Sequence, residues 1–356
     1  MLIDSKFINL QIIMALLCFG LPFATLPAIS YALTDNSALC ASMSDNIERL
    51  ECYDSLNTQQ LQKLKAPLVD VPLEKKITEP RSYLTRSWDL DNKDDELLGE
   101  NQSPLKPHHV SYLIVRKSNE TNQQPYSPSH VTTILPVTLD KEEMKFQFSQ
   151  KAKVLNPVKV HFLGVTSFRL WGAYTQQSSW QAFNSGNSSP FRETIYEPEL
   201  ILTVSTGNQY GLKLVNFGYV HQSNGLNSTL SRSWNRMYLQ GGWESDTWSA
   251  LLRVWRRIPE ADGQDDMPDI EDYSGRGDLF LRWAPLDGTQ LIGLTLRNNF
   301  KQEQNRSFIQ LDWATPIKLN QSSKLHIQFT SGYGETLIDY NFRQTTIGFG
   351  VSFRDW

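Results

Sequence analysis

From about Val110 to Phe353 apolar and polar residues alternate with a period of two, which places successive side chains on opposite faces of extended strands. Phe146 and Phe148 alternate with Gln147 and Ser149. Ile347, Phe349, Val351 and Phe353 alternate with Gly348, Gly350 and Ser352. Followed along the chain, this period predicts about twelve strands: 111–116, 144–155, 168–183, 194–204, 211–224, 232–244, 248–258, 277–283, 290–299, 307–317, 324–333 and 346–353. Turn signals such as Asp287-Gly288 alternate with longer polar loops such as 259–273. An even set of strands, joined alternately by short and long connections and each with an apolar row opposite a small polar one, predicts an all-β chain folded as an antiparallel transmembrane β-barrel. Trp356 supplies the terminal aromatic residue common in such barrels, although it is off the parity of the last apolar row.

The first hundred residues carry a different pattern. Lys6, the apolar stretch Ile8 to Leu26 and the small-x-small site Ser30-Tyr-Ala32 predict a signal peptide over residues 1–32, and Cys18 leaves with it. Cys40 and Cys52 then remain as an even pair in an oxidising compartment, which favours a disulfide. The residues between them have a helical period with Ser44 or Asp45 as cap, so 33–64 is expected to be a short disulfide-clipped helix facing the periplasm. Residues 65–105 are polar, charged and Pro-rich, and are expected to be a disordered linker without a core of its own. The barrel domain then spans 106–356.

Composition narrows the function classes. A net charge of −4 offers no basic face for a nucleic acid. Mean hydropathy of −0.41 argues against a helical membrane protein. The 10 Trp, 13 Tyr and 17 Phe suit a barrel with only half its residues toward lipid, and also a soluble β-sandwich.

Candidate chemistry concentrates in 217–235. On a strand, Tyr219, His221 and Ser223 project the same way, so a base stands beside a potential nucleophile. Residues Asn224 to Ser228 read as a turn, and the returning strand from Arg232 brings Asn235 level with the pair. A hydroxyl, an imidazole and a group to orient the imidazole are the parts of a hydrolytic triad. A neutral amide in the third position avoids bringing an ionised carboxylate to a lipid-facing wall. Gly225, just past Ser223, lets a main-chain amide approach a developing oxyanion.

His221-Gln-Ser-Asn-Gly225 followed by Ser231-Arg-Ser-Trp-Asn-Arg236 closely resembles the outer-membrane phospholipase A family (bacterial detergent-resistant phospholipase A). Further matches are Ser188-Ser-Pro-Phe-Arg-Glu-Thr-Ile-Tyr-Glu-Pro198 and Ser331-Gly-Tyr-Gly-Glu-Thr-Leu-Ile-Asp-Tyr-Asn341, and the likeness covers roughly 104–356. The resemblance implies a calcium-dependent phospholipase A1/A2 of the bacterial outer membrane, a carboxylic ester hydrolase active as a homodimer on phospholipids and lysophospholipids. Its serine nucleophile would be Ser223, with His221 and Asn235. It also implies Ca2+ ligands: the Ser231 hydroxyl, the Leu226 carbonyl and, from the partner subunit of the dimer, the Ser188 carbonyl. Without a carboxylate such a site should be weak. Gln176 matches the family's polar subunit contact. Gln222 stands where the family often has Asp, and Leu226 where a basic residue is common.

Two other readings fit the pattern. One is a non-catalytic outer-membrane channel or scaffold, though the interior charges Arg232, Arg236, Arg253 and Glu244 would plug an open lumen. The other is a secreted soluble β-protein.

Overall fold

The computed structural model describes residues 40, 42–64, 81–93, 105–130, 135, 137–162, 164–207, 209–261, 263–286, 288–317 and 320–353. The expected signal peptide and Trp356 lie outside these residues. The chain divides into two units, 1–77 and 78–356.

In the first unit α1 (Asn46–Leu64) begins at Asp45, whose Oδ1 accepts the backbone N–H of Ile47 at 2.7 Å and of Glu48 at 3.2 Å. This caps the first turn. Cys40 and Cys52 form a disulfide.

In the second unit a two-residue strand, β1 (Lys106–Pro107), precedes the twelve strands of a closed barrel. These are β2 (Ser111–Ser118), β3 (Glu142–Phe162), β4 (Val165–Trp180), β5 (Phe191–Thr206), β6 (Leu212–Ser223), β7 (Ser233–Glu244), β8 (Trp248–Ile258), β9 (Gly277–Trp283), β10 (Leu291–Asn298), β11 (Ser307–Ile317), β12 (Asn320–Gly332) and β13 (Gln344–Phe353). Each pairs antiparallel with its sequence neighbours, and β13 closes the ring on β2. No described helix is long and apolar enough to cross a membrane; the strands form the apolar wall.

Parity sorts the side chains as the alternation requires. On β13, Ile347 and Phe349 are 60% and 65% exposed on the outer wall, while Thr346 and Ser352 are buried inside. The expected strand boundaries hold to a few residues, with β3 the main departure. It runs to Phe162 rather than stopping near Leu155. Pro157 and register shifts after Lys153, Leu155 and Lys159 break the two-residue period there, so alternation fails although pairing continues. Gly288 takes the left-handed conformation expected of a turn, at φ +65°, but within the longer connection 284–290.

The long connections (119–141, 181–190, 224–232, 259–276, 299–306 and 333–343) cluster at one end of the barrel, and the short turns at the other. The lumen is filled rather than open. Buried Arg116 bonds Glu143 and Glu335, Lys145 lies 2.8 Å from Glu335, and Arg192 joins Glu143 to Asp339. Arg253 pairs with Asp278 at 2.6 Å.

Residues 81–93 correct the linker expectation for their part of 65–105. They contain α2 (Tyr83–Trp88), whose Leu84 and Trp88 are buried in one core with Trp171, Trp234 and Trp255. The Leu84 N–H donates to Glu244 Oε1 at 2.7 Å, and the Trp88 ring packs edge-on to Trp171. Buried Asp89 takes the left-handed conformation that ends the helix and binds Lys153 at 2.8 Å and Arg81 at 3.0 Å. The charges of Arg81, Asp89 and Asp91 in this stretch are paired within the barrel unit. Polarity alone cannot separate a tether from a plug for a polar lumen.

Candidate active site

The site is built on β6 and β7, whose antiparallel register sets His221 opposite Asn235 and Ser223 opposite Ser233. On β6, Leu214, Asn216 and Val220 are buried toward the lumen, while Phe217 is 51% exposed on the outer wall. His221 and Ser223 share the parity of Phe217. Asn235 shares that of Met237 and Leu239, both exposed. The three candidate groups therefore stand together on the outer face, between the apolar wall and the long-loop end. Gln222 points inward, as parity predicts, donating to Glu197 at 2.7 Å and accepting from Trp234 Nε1 at 2.7 Å.

His221 Nδ1 lies 2.9 Å from Asn235 Oδ1. The same oxygen accepts the Tyr219 hydroxyl at 2.9 Å, and Asn235 Nδ2 donates to Glu260 Oε1 at 3.3 Å. An ionised carboxylate only accepts hydrogen bonds, so Glu260 turns the amide N–H2 toward itself and the amide oxygen toward the imidazole. Nδ1 then carries the proton, and Nε2 keeps the lone pair a general base needs. Glu260, in the loop after β8, has its carboxyl raised above the usual range by burial and then by the charge of Asp265. Among the described residues the Ser223 hydroxyl has no hydrogen-bond partner. Nucleophile–base contacts often close only once substrate is present.

Asn224 shapes the loop beyond Ser223. Its side-chain oxygen accepts the backbone N–H of Leu226 at 3.2 Å and of Arg232 at 3.0 Å, and its Nδ2 donates to Leu230 O at 2.8 Å. Gly225 is left-handed at φ +64°, and a Cβ there would meet the Tyr196 ring at 2.9 Å. The backbone therefore requires glycine at this point.

Of the residues expected to hold calcium, Ser231 closes this loop and its Oγ donates to Asp266 Oδ2 at 2.7 Å. Asp266 Oδ1 lies 2.9 Å from His130 Nε2. An acidic oxygen therefore stands against Ser231, beside a site expected from the sequence to have no carboxylate. Asp266 and Glu260 belong to the loop after β8 and carry no motif, so only tertiary contact reveals them. Ser188 follows the 3-10 turn Ser185–Asn187 at φ +61°, in the loop between β4 and β5. It shares no hydrogen bond with the 224–232 loop among the described residues. The Leu226 and Ser188 carbonyls accept no hydrogen bond there either, which leaves hard oxygen donors of the kind calcium takes. Gln176 faces outward beside Tyr174, whose hydroxyl donates to Gln176 Oε1 at 3.0 Å. In register, Gln176 pairs with Tyr196 and Tyr196 with Ser223, so Gln176 lies on the row that leads to the site.

Below this row the outer wall carries a groove of about 580 Å3 lined by Leu200, Leu202, Phe217, Tyr219, Met237 and Leu239, among others.

A family model described as Phospholipase A1 matches residues 84–353. A phospholipase A1 of Salmonella typhimurium (strain LT2) is 35% identical over 264 residues, covering 73% of this chain and 85% of the relative. The outer membrane phospholipase A of Escherichia coli is structurally similar, with a TM-score of 0.59 at 34% identity over 70% of this chain and 92% of that one. A calcium-bound dimer of the outer membrane phospholipase of Salmonella typhi gives 0.61 at 35% identity over 73% and 96%. The match runs from α2 through the last strand of a barrel of the same architecture, and on that ground this chain belongs to the phospholipase A1 family, as a phospholipase of the bacterial outer membrane.

Proposed function

We propose that the outward trio hydrolyses acyl esters of phospholipids and lysophospholipids. Ser223 Oγ attacks the ester carbonyl and His221 Nε2 takes the hydroxyl proton. The C–O bond to the leaving alkoxide then breaks, and the imidazolium returns the proton to that oxygen. Water enters by the same base and releases the fatty acid from the serine. Asn235 holds the imidazole, and the Gly225 amide faces the developing oxyanion. The reading rests above all on the 2.9 Å contact between His221 Nδ1 and Asn235 Oδ1 on the lipid-facing wall. The groove beneath the site is lined mainly by apolar side chains, which suits an acyl chain.

Calcium fits the donors at the loop: the Ser231 hydroxyl, the Leu226 carbonyl and the Asp266 carboxylate, with Ser188 supplied by a second copy of the chain. When bound, the ion adds positive charge beside the reacting carbonyl. Among the described residues Ser188 shares no hydrogen bond with the loop, and a calcium-bound relative is a dimer; both observations support a homodimeric active form with Gln176 at the contact. In the same reading residues 1–32 are a signal peptide, and α1 with its disulfide lies in the periplasm.

The decisive experiment is fatty-acid release from phospholipid by purified protein, with and without calcium. Ser223→Ala should abolish release while detergent-resistant folding persists, and chelation should suppress turnover and favour the monomer. Activity retained by Ser223→Ala removes the serine from the mechanism, and indifference to chelation removes the metal.

A further inference from the structure

The lumen holds a cluster that ester hydrolysis does not use. Directly after β1 the chain is pinned to β3: His108 N donates to Ser149 O, and His109 N to Ser149 Oγ at 3.0 Å. Both imidazoles reach across to Glu199 of β5. His108 Nε2 is 2.8 Å and His109 Nε2 3.9 Å from Glu199 Oε1, and one donor atom from each of the three lies within 4.8 Å of the others. The two rings are 4.2 Å apart between centroids.

The charge balance around Glu199 is incomplete. Its side chain is fully buried, and its second oxygen accepts the Tyr238 hydroxyl at 3.0 Å. Arg253 is taken by Asp278 at 2.6 Å, and Lys151 Nζ sits 3.4 Å over the Trp88 ring. Among the described residues no ammonium or guanidinium reaches ion-pair distance of Glu199. A buried carboxylate needs a positive partner: one imidazole must be protonated, or a cation must lie between the three groups.

We propose that His108, His109 and Glu199 bind a divalent transition-metal ion, with zinc as the preferred occupant. Two imidazole nitrogens and a carboxylate oxygen are a zinc donor set, and three protein ligands leave one position open. A cavity of about 250 Å3 borders both histidines and has room for a water there. Bonds of about 2.0–2.1 Å place tetrahedral ligand atoms roughly 3.3 Å apart, so the His108–Glu199 and His109–Glu199 separations of 2.8 and 3.9 Å each change by about half an ångström, and the two imidazole donors, within 4.8 Å, close on one another. Tyr238 already orients the carboxylate from behind, as an outer partner of a metal ligand does. Calcium prefers oxygen donors and should pass this site by. The bound ion ties residues 106–110 to β5, and through the edge contact of His108 with Trp88 at 5.9 Å it supports α2 in the lumen. It is a structural staple inside the wall whose outer face carries the trio, and it is independent of the hydrolytic assignment.

The test uses tag-free full-length protein in detergent, stripped with EDTA and then titrated with zinc by calorimetry and with cobalt by visible absorption. One zinc per chain should bind with micromolar or tighter affinity, unaffected by millimolar calcium, and raise the melting temperature. Cobalt should give the intense bands of a tetrahedral site. His109→Gln, which leaves the His108–Glu199 contact in place, should weaken zinc by at least about tenfold, and His108→Ala with His109→Ala should abolish binding and the thermal shift. Ser223→Ala should bind as the parent does. Absence of zinc binding reduces the cluster to a His–Glu ion pair, and binding unchanged in His109→Gln places the metal elsewhere; either result overturns the proposal.

Discussion

At the residue scale, Glu260 gives a more specific reason for an amide at position 235 than the cost of burying a charge near lipid. Its carboxylate lies 3.3 Å from Asn235 Nδ2 and fixes which end of the amide meets His221. An aspartate there would face Glu260 as a second anion. Asn235→Asp is therefore expected to lower kcat by roughly tenfold or more, since tenfold corresponds to only about 1.4 kcal/mol. Adding Glu260→Gln to that variant should recover much of the loss, a coupling that steady-state kinetics on the two singles and the double would measure. Burial and Asp265 raise the Glu260 carboxyl, so it takes up a proton at a higher pH than an exposed glutamate and then no longer dictates the amide orientation. Part of the activity loss on acidification should disappear in Glu260→Gln. Acidification acts on stability in the opposite direction. A carboxyl whose folded pKa is raised favours the fold fully below its unfolded pKa, and this is lost as pH rises through the folded value. Glu260→Gln should therefore melt higher than the parent at neutral pH. Gly225→Ala adds a Cβ at φ +64° against the Tyr196 ring, at a cost of about 1–2 kcal/mol for the backbone alone. A fall in kcat with the barrel still folded would mark the loop amide as part of the site.

At the element scale, β6 and β7 were legible because an unbroken two-residue period carries the parity of His221, Ser223 and Asn235 directly from sequence to surface. α2 was not legible. Its few apolar residues are embedded among charges, and those charges find partners only in a lumen that other strands enclose. Trp88→Ala removes a ring packed on Trp171 and capped by Lys151, and should destabilise the barrel by about 3–5 kcal/mol in denaturant unfolding. The outward trio makes no contact with this ring, so the specific activity of the folded fraction should persist.

For the whole molecule, the filled lumen argues against an open channel, while the enzyme reading over a scaffold barrel rests on the family match. Arg116, Glu143, Arg192, Glu335 and Asp339 form a buried, mutually bonded set, and α2 packs within the same interior. Two of the sequence motifs that mark the family thus also contribute ion pairs inside the barrel, through Arg192 in one and through Glu335 and Asp339 in the other. Planar-bilayer recordings should show no steady conductance. Glu335→Ala leaves Arg116 and Lys145 without a shared partner, and is expected to be strongly destabilising rather than to open a pore.

Local periodicity alone determined the strands, their approximate number and the face on which His221, Ser223 and Asn235 lie, because a period of two converts residue number into direction without reference to anything distant. It could not determine what meets those faces. Glu260 and Asp266 come to the site from another loop, α2 turns a charged stretch into core, and Glu199 finds His108 and His109 across the lumen. Each is a contact between residues far apart in the chain, and closure of the sheet into a ring is what brings them within hydrogen-bond reach.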